Sequence, residues 1–361
     1  MARREKARGT EARRIGFFLL LVLIFSFLFF GQELFSIDDF TSAFVFGKED
    51  FFPSSQKTNS LVQDEGSVEV HFCPRENCEK LFVDFLEQAE FSLHCALYDI
   101  GLPSVQEVLL RKKKEGKNVG VITDDAYLKR FRHAFVKADG SYGLMHNKFC
   151  IVDGNKVSTG SMNPTAGDAQ ENNNNLLFIS SPLVAQNYEN EFAEMWKGRF
   201  KSGDITKNPA VRVGETALEI LFCPEDGCAE KVQEEIRKAE KSVFFMTFSF
   251  THQGIAGEIL FKKLEGVEIK GIMDKTQAAG EYSVFPWLEF QGIEVIKNKK
   301  SLLHHKVFII DGKTVITGSF NPTKGGDERN DENMVIIRDM EIANKYLAEF
   351  QRLWNKTEGE K

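Results

Sequence analysis

The sequence predicts an α/β protein made of two copies of one unit, each with a mixed sheet, behind a single N-terminal transmembrane helix. Three observations predict it. An unbroken apolar stretch lies near the N-terminus, a 20-residue pattern recurs 150 positions later, and each copy alternates short strands with helices.

Residues 15–31 (IGFFLLLVLIFSFLFFG) are apolar or small apart from Ser26. With 32–35 as an interfacial end, they just cross a bilayer core at about 1.5 Å per residue, so 15–35 reads as a signal anchor. Arg3, Arg4, Lys6, Arg8, Arg13 and Arg14 make 1–14 a basic cytoplasmic flank, and Asp38 and Asp39 follow the apolar segment. Under the positive-inside rule this gives a single-pass protein of the cell membrane with its body outside the cytoplasm. A cleaved signal peptide is the competing reading. Its apolar region is usually shorter and ends in small residues, whereas this flank reads FFGQELF. A buried core helix would show a polar face, and this segment has none. Residues 36–66 carry Ser, Gln, Asp and Pro without a sustained period and read as a flexible tether.

The remaining length suits two domains of ordinary size, and 42% hydrophobic residues supply a real core. The formal net charge is −7; the basic flank contributes +4 and leaves −11 for the rest. An acidic body excludes a general nucleic-acid coat while leaving room for a local basic site.

The repeat starts with HFCPRENCEKLFVDFLEQAE at His71 and LFCPEDGCAEKVQEEIRKAE at Leu221, an offset of 150. The same offset aligns Asp124 with Asp274. Farther on, MHNKFCIVDGNKVSTGSMNPT matches HHKVFIIDGKTVITGSFNPT at an offset of 158, so the second copy carries eight extra residues before His304. Each copy opens with a strand (Val68–Phe72; Leu218–Phe222), a turn and an amphipathic helix. An apolar strand follows (Phe91–Tyr98; Val243–Phe250), then a helix, another strand, the His-containing strand and its hairpin partner (Lys156–Thr159; Thr314–Thr317). Closing helices span Pro182–Phe200 and Met340–Trp354. The lobes are therefore 67–200 and 213–356, joined by a linker over 201–212.

Cys73 with Cys78 (CPRENC) and Cys223 with Cys228 (CPEDGC) each close a short Pro-containing turn, and an exported body favours two disulfides. Four thiolates around one zinc is the alternative. Cys95 and Cys150 sit in apolar strand-like runs and read as buried thiols.

The chemistry lies in His146-x-Lys148-x4-Asp153 followed by Gly160-Ser161-x-Asn163, and in His304-x-Lys306-x4-Asp311 followed by Gly318-Ser319-x-Asn321. Positions i and i+2 of a strand share a face, so each His and Lys point together. Glycine admits a close approach of backbone, and Ser and Asn add short donors suited to phosphate oxygens. One HxK pair is weak evidence; two, each with GSxN at the same distance, make coincidence negligible.

These residues resemble the phospholipase D superfamily, whose motif is HxKx4D followed by GSxN. The resemblance covers about residues 68–355, and the second half is most similar to the branch of small bacterial endonucleases and mitochondrial cardiolipin hydrolases. It implies two lobes facing across a pseudo-dyad, one shared site, a phosphohistidine intermediate, and neither metal nor cofactor. Since both motifs lie in one chain, a monomer suffices.

On this reading His146 and His304 serve as nucleophile and acid, while Lys148 and Lys306, with Ser161, Asn163, Ser319 and Asn321, hold the phosphoryl oxygens. Asp153 and Asp311 support turn backbone. The family places an acidic or amide group 28 residues after each His, which pairs Glu332 with His146 and Asn174 with His304. A carboxylate partner favours His146 as nucleophile, and a neutral partner leaves His304 as acid. The run Asn172–Asn175 also reads as a solvated turn. His305 points to the opposite strand face, and Lys297, Lys299 and Lys300 are placed to steer a phosphate. The expected substrate is a phospholipid of the membrane that anchors the chain; extracytoplasmic DNA or RNA is the alternative.

Overall fold

The computed structural model describes residues 62–358; the basic flank, the apolar segment and most of the tether lie outside the described residues. Among those described, no helix is long and apolar enough to cross a membrane.

The first lobe is preceded by β1 (Val62–Asp64). It runs β2 (Ser67–Cys73), α1 (Cys78–Glu87), β3 (Ser92–Leu97), α2 (Pro103–Lys114), β4 (Asn118–Asp124), β5 (Val136–Asp139), β6 (Lys148–Val152), β7 (Lys156–Gly160), α3 (Ala166–Gln170), β8 (Asn174–Ser180) and α4 (Pro182–Trp196). After β9 (Ala210–Val213), the second lobe repeats the plan. It runs β10 (Thr216–Cys223), α5 (Cys228–Arg237), β11 (Ser242–Thr247), α6 (Gln253–Leu264), β12 (Glu268–Asp274), α7 (Lys275–Ala278), α8 (Phe285–Phe290), β13 (Glu294–Asn298), β14 (Lys306–Ile310), β15 (Thr314–Gly318), α9 (Lys324–Glu328), β16 (Glu332–Arg338) and α10 (Met340–Glu358). Helices α7 and α8 fall within the stretch that carries the eight extra residues.

The sheet orders are β2-β8-β7-β6-β3-β4-β5 and β10-β16-β15-β14-β11-β12-β13, identical in the repeated strands and mixed in direction. Strands β1 and β9 extend the second sheet and pair in parallel. They correct the reading of 62–64 as flexible tether and of 210–212 as plain linker: a β-strand edge captures both segments.

Alternation along the central strands sorts their side chains into layers. Phe149 and Ile151 of β6 face a core shared by both lobes, together with Val307 and Ile309 of β14. Cys150 and Val152 face an outer core built by α1 and α2, while Phe308 and Ile310 face one built by α5 and α6. The closing helices fill the shared core and reach across it reciprocally. Tyr188 of α4 meets Phe222 edge-on at 5.1 Å, and Tyr346 of α10 meets Phe72 at 5.1 Å. The two lobes accordingly form one compact unit.

Three disulfides are present. Cys73–Cys78 and Cys223–Cys228 each close the turn ahead of α1 and α5. Cys95–Cys150 is the third, which corrects the reading of these two as thiols. They are directly paired positions of antiparallel β3 and β6, with Cα atoms 4.1 Å apart, so one strand register brings the sulfurs together.

Because the lobes share a core, Phe72→Ala is expected to lower the stability of the whole unit by about 3–5 kcal/mol. Urea denaturation should show one transition at a lower midpoint. Two separate transitions would mean that the lobes unfold independently.

Candidate active site

Strands β6 and β14 are buried along their whole length, and each begins at its lysine with the histidine two residues ahead of it. Two reciprocal backbone pairs set the histidines. His146 N–H donates to Asp331 O and Asp331 N–H to Leu144 O; His304 N–H donates to Asn173 O and Asn173 N–H to Leu302 O, all at 2.9 Å. Each histidine is thereby held against the residue that precedes Glu332 or Asn174 of the opposite lobe.

The side chains follow. His146 Nδ1 lies 2.8 Å from Glu332 Oε2, and His304 Nδ1 lies 2.9 Å from Asn174 Oδ1. Asn174 donates its Nδ2 to Asp168 O at 3.0 Å, which turns its oxygen toward the ring. His304 Nδ1 must then carry the hydrogen and donate it. Lys148 and Lys306 each donate to the carbonyl of the histidine two residues back, at 2.6 and 2.7 Å. All four residues are at most 7% exposed.

Several contributors escaped the sequence reading. Asp168 of α3 puts Oδ2 3.3 Å from His304 Nδ1, which overturns the expectation that His304 has only a neutral partner. Its signal was the Thr165 cap of the short helix after GSxN, which fixes Asp168 in the first turn. Tyr98 and Phe248, aligned in the repeat, each lie edge-on to a catalytic-site histidine (4.9 and 5.0 Å) and near a lysine ammonium (5.1 and 5.2 Å). Asp124 and Asp274, visible only as alignment landmarks, accept the N–H of Met145 and Leu303, the residues just before the histidines.

Ser161 and Ser319 were expected at the substrate, and the structure corrects this. Both are fully buried; Ser161 Oγ donates to Asn175 Oδ1 at 2.9 Å and Ser319 Oγ to Glu332 Oε2 at 2.6 Å. The reason lies in the preceding glycines: a Cβ at Gly160 or Gly318 would come within 2.4 Å of the neighbouring strand's carbonyl, so the serine hydroxyl abuts that strand. Asn163 donates Nδ2 to Asp168 Oδ2 at 2.7 Å, and both Asn163 and Asn321 keep a buried side-chain oxygen with no partner among the described residues. Asp153 accepts the N–H groups of Glu90, Phe91 and Ser92, and Asp311 those of Glu240, Lys241 and Ser242, at the strand ends remote from the histidines. The Asn run is no solvated turn: Asn174 and Asn175 are fully buried. His305 is buried at the lobe interface, with Nδ1 3.3 Å from Asn175 Oδ1, and Lys297 sits over the Phe285 ring at 4.6 Å.

Charge explains what this arrangement is suited to hold. Two lysines and two histidines converge on two carboxylates, Glu332 and Asp168. Burial, then Lys148 and Lys306, hold His146 well below its usual pKa; burial brings His304 down to about 4 although Asp168 opposes it. Burial lowers Lys148 to about 8 and, with Lys148 beside it, pushes Lys306 down further. Burial lifts Glu332 to about 7 against Lys148, Ser319 and Asn330, and with His146 pushed down the imidazole in the short His146–Glu332 contact is favoured neutral. Burial also opposes ionisation of Asp168, yet His304, Asn172 and the Asn163 backbone keep its carboxyl far below the usual range. Crowded, desolvated cations of this kind are stabilised by a bound anion.

Two facing lobes, paired HxK strands and a buried cationic centre define a phosphodiesterase-type site. The family model described as "Cardiolipin synthase, PLD-like domain" matches residues 82–196 and 232–354, and the chain belongs to the phospholipase D superfamily. It is 32% identical over 137 residues to a phospholipase D of Rickettsia bellii (strain RML369-C), covering 38% of this chain and 68% of that protein. It is likewise 32% identical over 137 residues to the mitochondrial cardiolipin hydrolase of Xenopus laevis, covering 35% of this chain and 65% of that one. The crystal structure of phosphatidylserine synthase from Haemophilus influenzae Rd KW20 shares the fold, with a TM-score of 0.62 and 11% identity over 80% of this chain and 86% of that one.

Anion binding should therefore be linked to protonation. Lys148 is half-protonated near pH 8, and an anion beside it raises its pKa, so binding of inorganic phosphate takes up protons there and weakens as pH rises further. Isothermal titration in buffers of different ionisation enthalpy reads the proton count. Net release, or none, would contradict the charge assignment.

Proposed function

We propose that the chain is a phospholipase D-type hydrolase that removes phospholipid head groups through a phosphohistidine on His146. The observation that carries the proposal is the pair of HxK strands whose histidine Nδ1 atoms are both tied to the opposite lobe, leaving Nε2 for the substrate. Above about pH 7 an ionised Glu332 accepts from Nδ1–H, and the Nε2 lone pair of His146 attacks phosphorus. The bond to the head-group oxygen breaks, and His304, made an imidazolium by uptake of a proton as the phosphodiester anion binds beside it and Asp168, gives its Nε2 proton to that oxygen. His304 then takes a proton from water as the hydroxyl attacks phosphorus; the P–N bond breaks and His146 is restored. Lys148 and Lys306 neutralise the non-bridging oxygens throughout, and the remaining amide hydrogens of Asn163 and Asn321 donate to them.

The names of the Rickettsia and Xenopus relatives and the −11 charge outside the basic flank support a lipid substrate. Nucleic acid is the second reading, favoured by the similarity of the second half to small endonucleases. Full-length protein in detergent, assayed side by side on phosphatidyl substrates and single-stranded DNA, should release head groups. His146→Ala should lower turnover by roughly 10³-fold or more and abolish the trapped adduct. DNA cleavage without lipid turnover would move the substrate to nucleic acid, and phosphate mapped to His304 would reverse the histidine roles.

We also propose that the bilayer is both anchor and substrate, with a monomeric catalytic body outside the cytoplasm. The apolar 15–35 segment, its basic flank and the pairing of all six cysteines support this. Protease added to intact cells should remove the body; complete protection would sink the topology.

A further inference from the structure

The two lobes are copies, yet their carboxylates near the dyad are not at equivalent positions. Glu332 opens β16, and the aligned residue of the first lobe is Asn174, an amide. Asp168 lies in α3, and its aligned residue in α9 is Gly326. The next residue, Asp327, faces away: its Oδ1 accepts the Ala229 N–H at 2.9 Å. A Cβ at Gly326 would come within 2.5 Å of Asn321 O, so α9 approaches its own loop too closely to carry a side chain there. In the first lobe the same turn stands open enough for a carboxylate that is 5% exposed.

We infer that Asp168 is the positioning residue of His304, doing from helix α3 what Glu332 does for His146 from strand β16. Its Oδ2 lies 3.3 Å from His304 Nδ1 and is anchored by Asn163 N–H at 2.9 Å and Asn163 Nδ2 at 2.7 Å; Oδ1 accepts from Asn172 Nδ2 at 2.8 Å. Asn174 shares the Nδ1 hydrogen of His304 and is itself tied to the Asp168 backbone, so amide and carboxylate move as one piece. The carboxylate has been transposed between elements while remaining opposite the histidine of the other lobe. An anion at that place supports the imidazolium that His304 becomes when it carries the proton for the leaving oxygen.

The inference rests on the proposed two-histidine reaction, and leaving-group dependence separates the two. On an alkyl phosphodiester, Asp168→Asn should slow first-turnover release of the leaving group by roughly 10²-fold, while first-turnover release from a nitrophenyl phosphodiester, whose leaving group needs no proton, should change by less than about 3-fold. Asp168→Glu, which keeps the charge but not the length, should retain more alkyl-diester activity than Asp168→Asn, which keeps the shape. A purely structural role predicts equal losses on both substrates and the opposite order of variants, and that result would overturn the inference while leaving the reaction standing. If wild-type protein cleaves neither diester, the proposed function falls instead and the inference with it. Should Asp168→Asn fail to fold, the double variant Asp168→Gly, Asn174→Glu copies the second lobe's pair. Recovery of alkyl-diester hydrolysis with this variant supports the transposition, and a folded protein active only on the nitrophenyl substrate refutes it.

Discussion

Four backbone hydrogen bonds across the dyad hold the site together. The N–H groups of His146 and His304 donate to the carbonyls of Asp331 and Asn173, which donate back to Leu144 and Leu302. Each half of the pair joins the entry to one HxK strand with the entry to the last strand of the other lobe. The spacing between each histidine and its partner thus depends on backbone, the least adjustable part of the chain. Asp124 and Asp274 hold the intervening residues from behind, and the reciprocal Tyr188–Phe222 and Tyr346–Phe72 contacts keep the lobes from sliding. A site divided between two lobes needs this rigidity, because an ångström of displacement would separate a histidine from its carboxylate.

Rigidity alone does not make an anion site; buried, closely spaced lysines do. The lysines are enclosed by Tyr98, Phe248 and the sheets, and each ammonium is fixed by one carbonyl of its own lobe. Burial disfavours their charged forms, repulsion from Lys148 adds to it at Lys306, and a bound anion would offset both. The strongly acidic body does not conflict with this. The cations are few, buried and close together, and local geometry counts for more than net charge at such a place.

The lobes have the same strand order but are no longer interchangeable. Where the first lobe has Asp168, Asn174 and Asn147, the second has Gly326, Glu332 and His305, and each difference is answered across the interface. Asn333 Nδ2 donates to Asn147 Oδ1 at 2.9 Å, whereas Asn175 Oδ1 faces His305 Nδ1. Buried polar groups in contact cannot change one at a time without leaving a partner unsatisfied, which explains why the asymmetries occur as matched sets.

The sequence by itself determined the repeat, the strand–helix alternation and the two HxK pairs, while the pairing of His146 with Glu332 and His304 with Asn174 was implied only by the family resemblance. The first three are legible because strand periodicity and fixed motif spacing are local properties, written twice in one chain. Only the tertiary structure decided what depends on distant segments meeting. Cys95 and Cys150 are 55 residues apart and become neighbours through strand register. Val62–Asp64 becomes a strand only because Ala210–Val213 offers it an edge. Ser161 and Ser319 look like ligands in a motif, yet a glycine's close approach to the next strand turns them inward. Asp168 carries no motif of its own; it acquires its place because a capped five-residue helix in one lobe ends up beside a histidine 136 residues away in the other. Periodicity fixes which face a residue takes, whereas packing of the lobes fixes which residues share that face's surroundings.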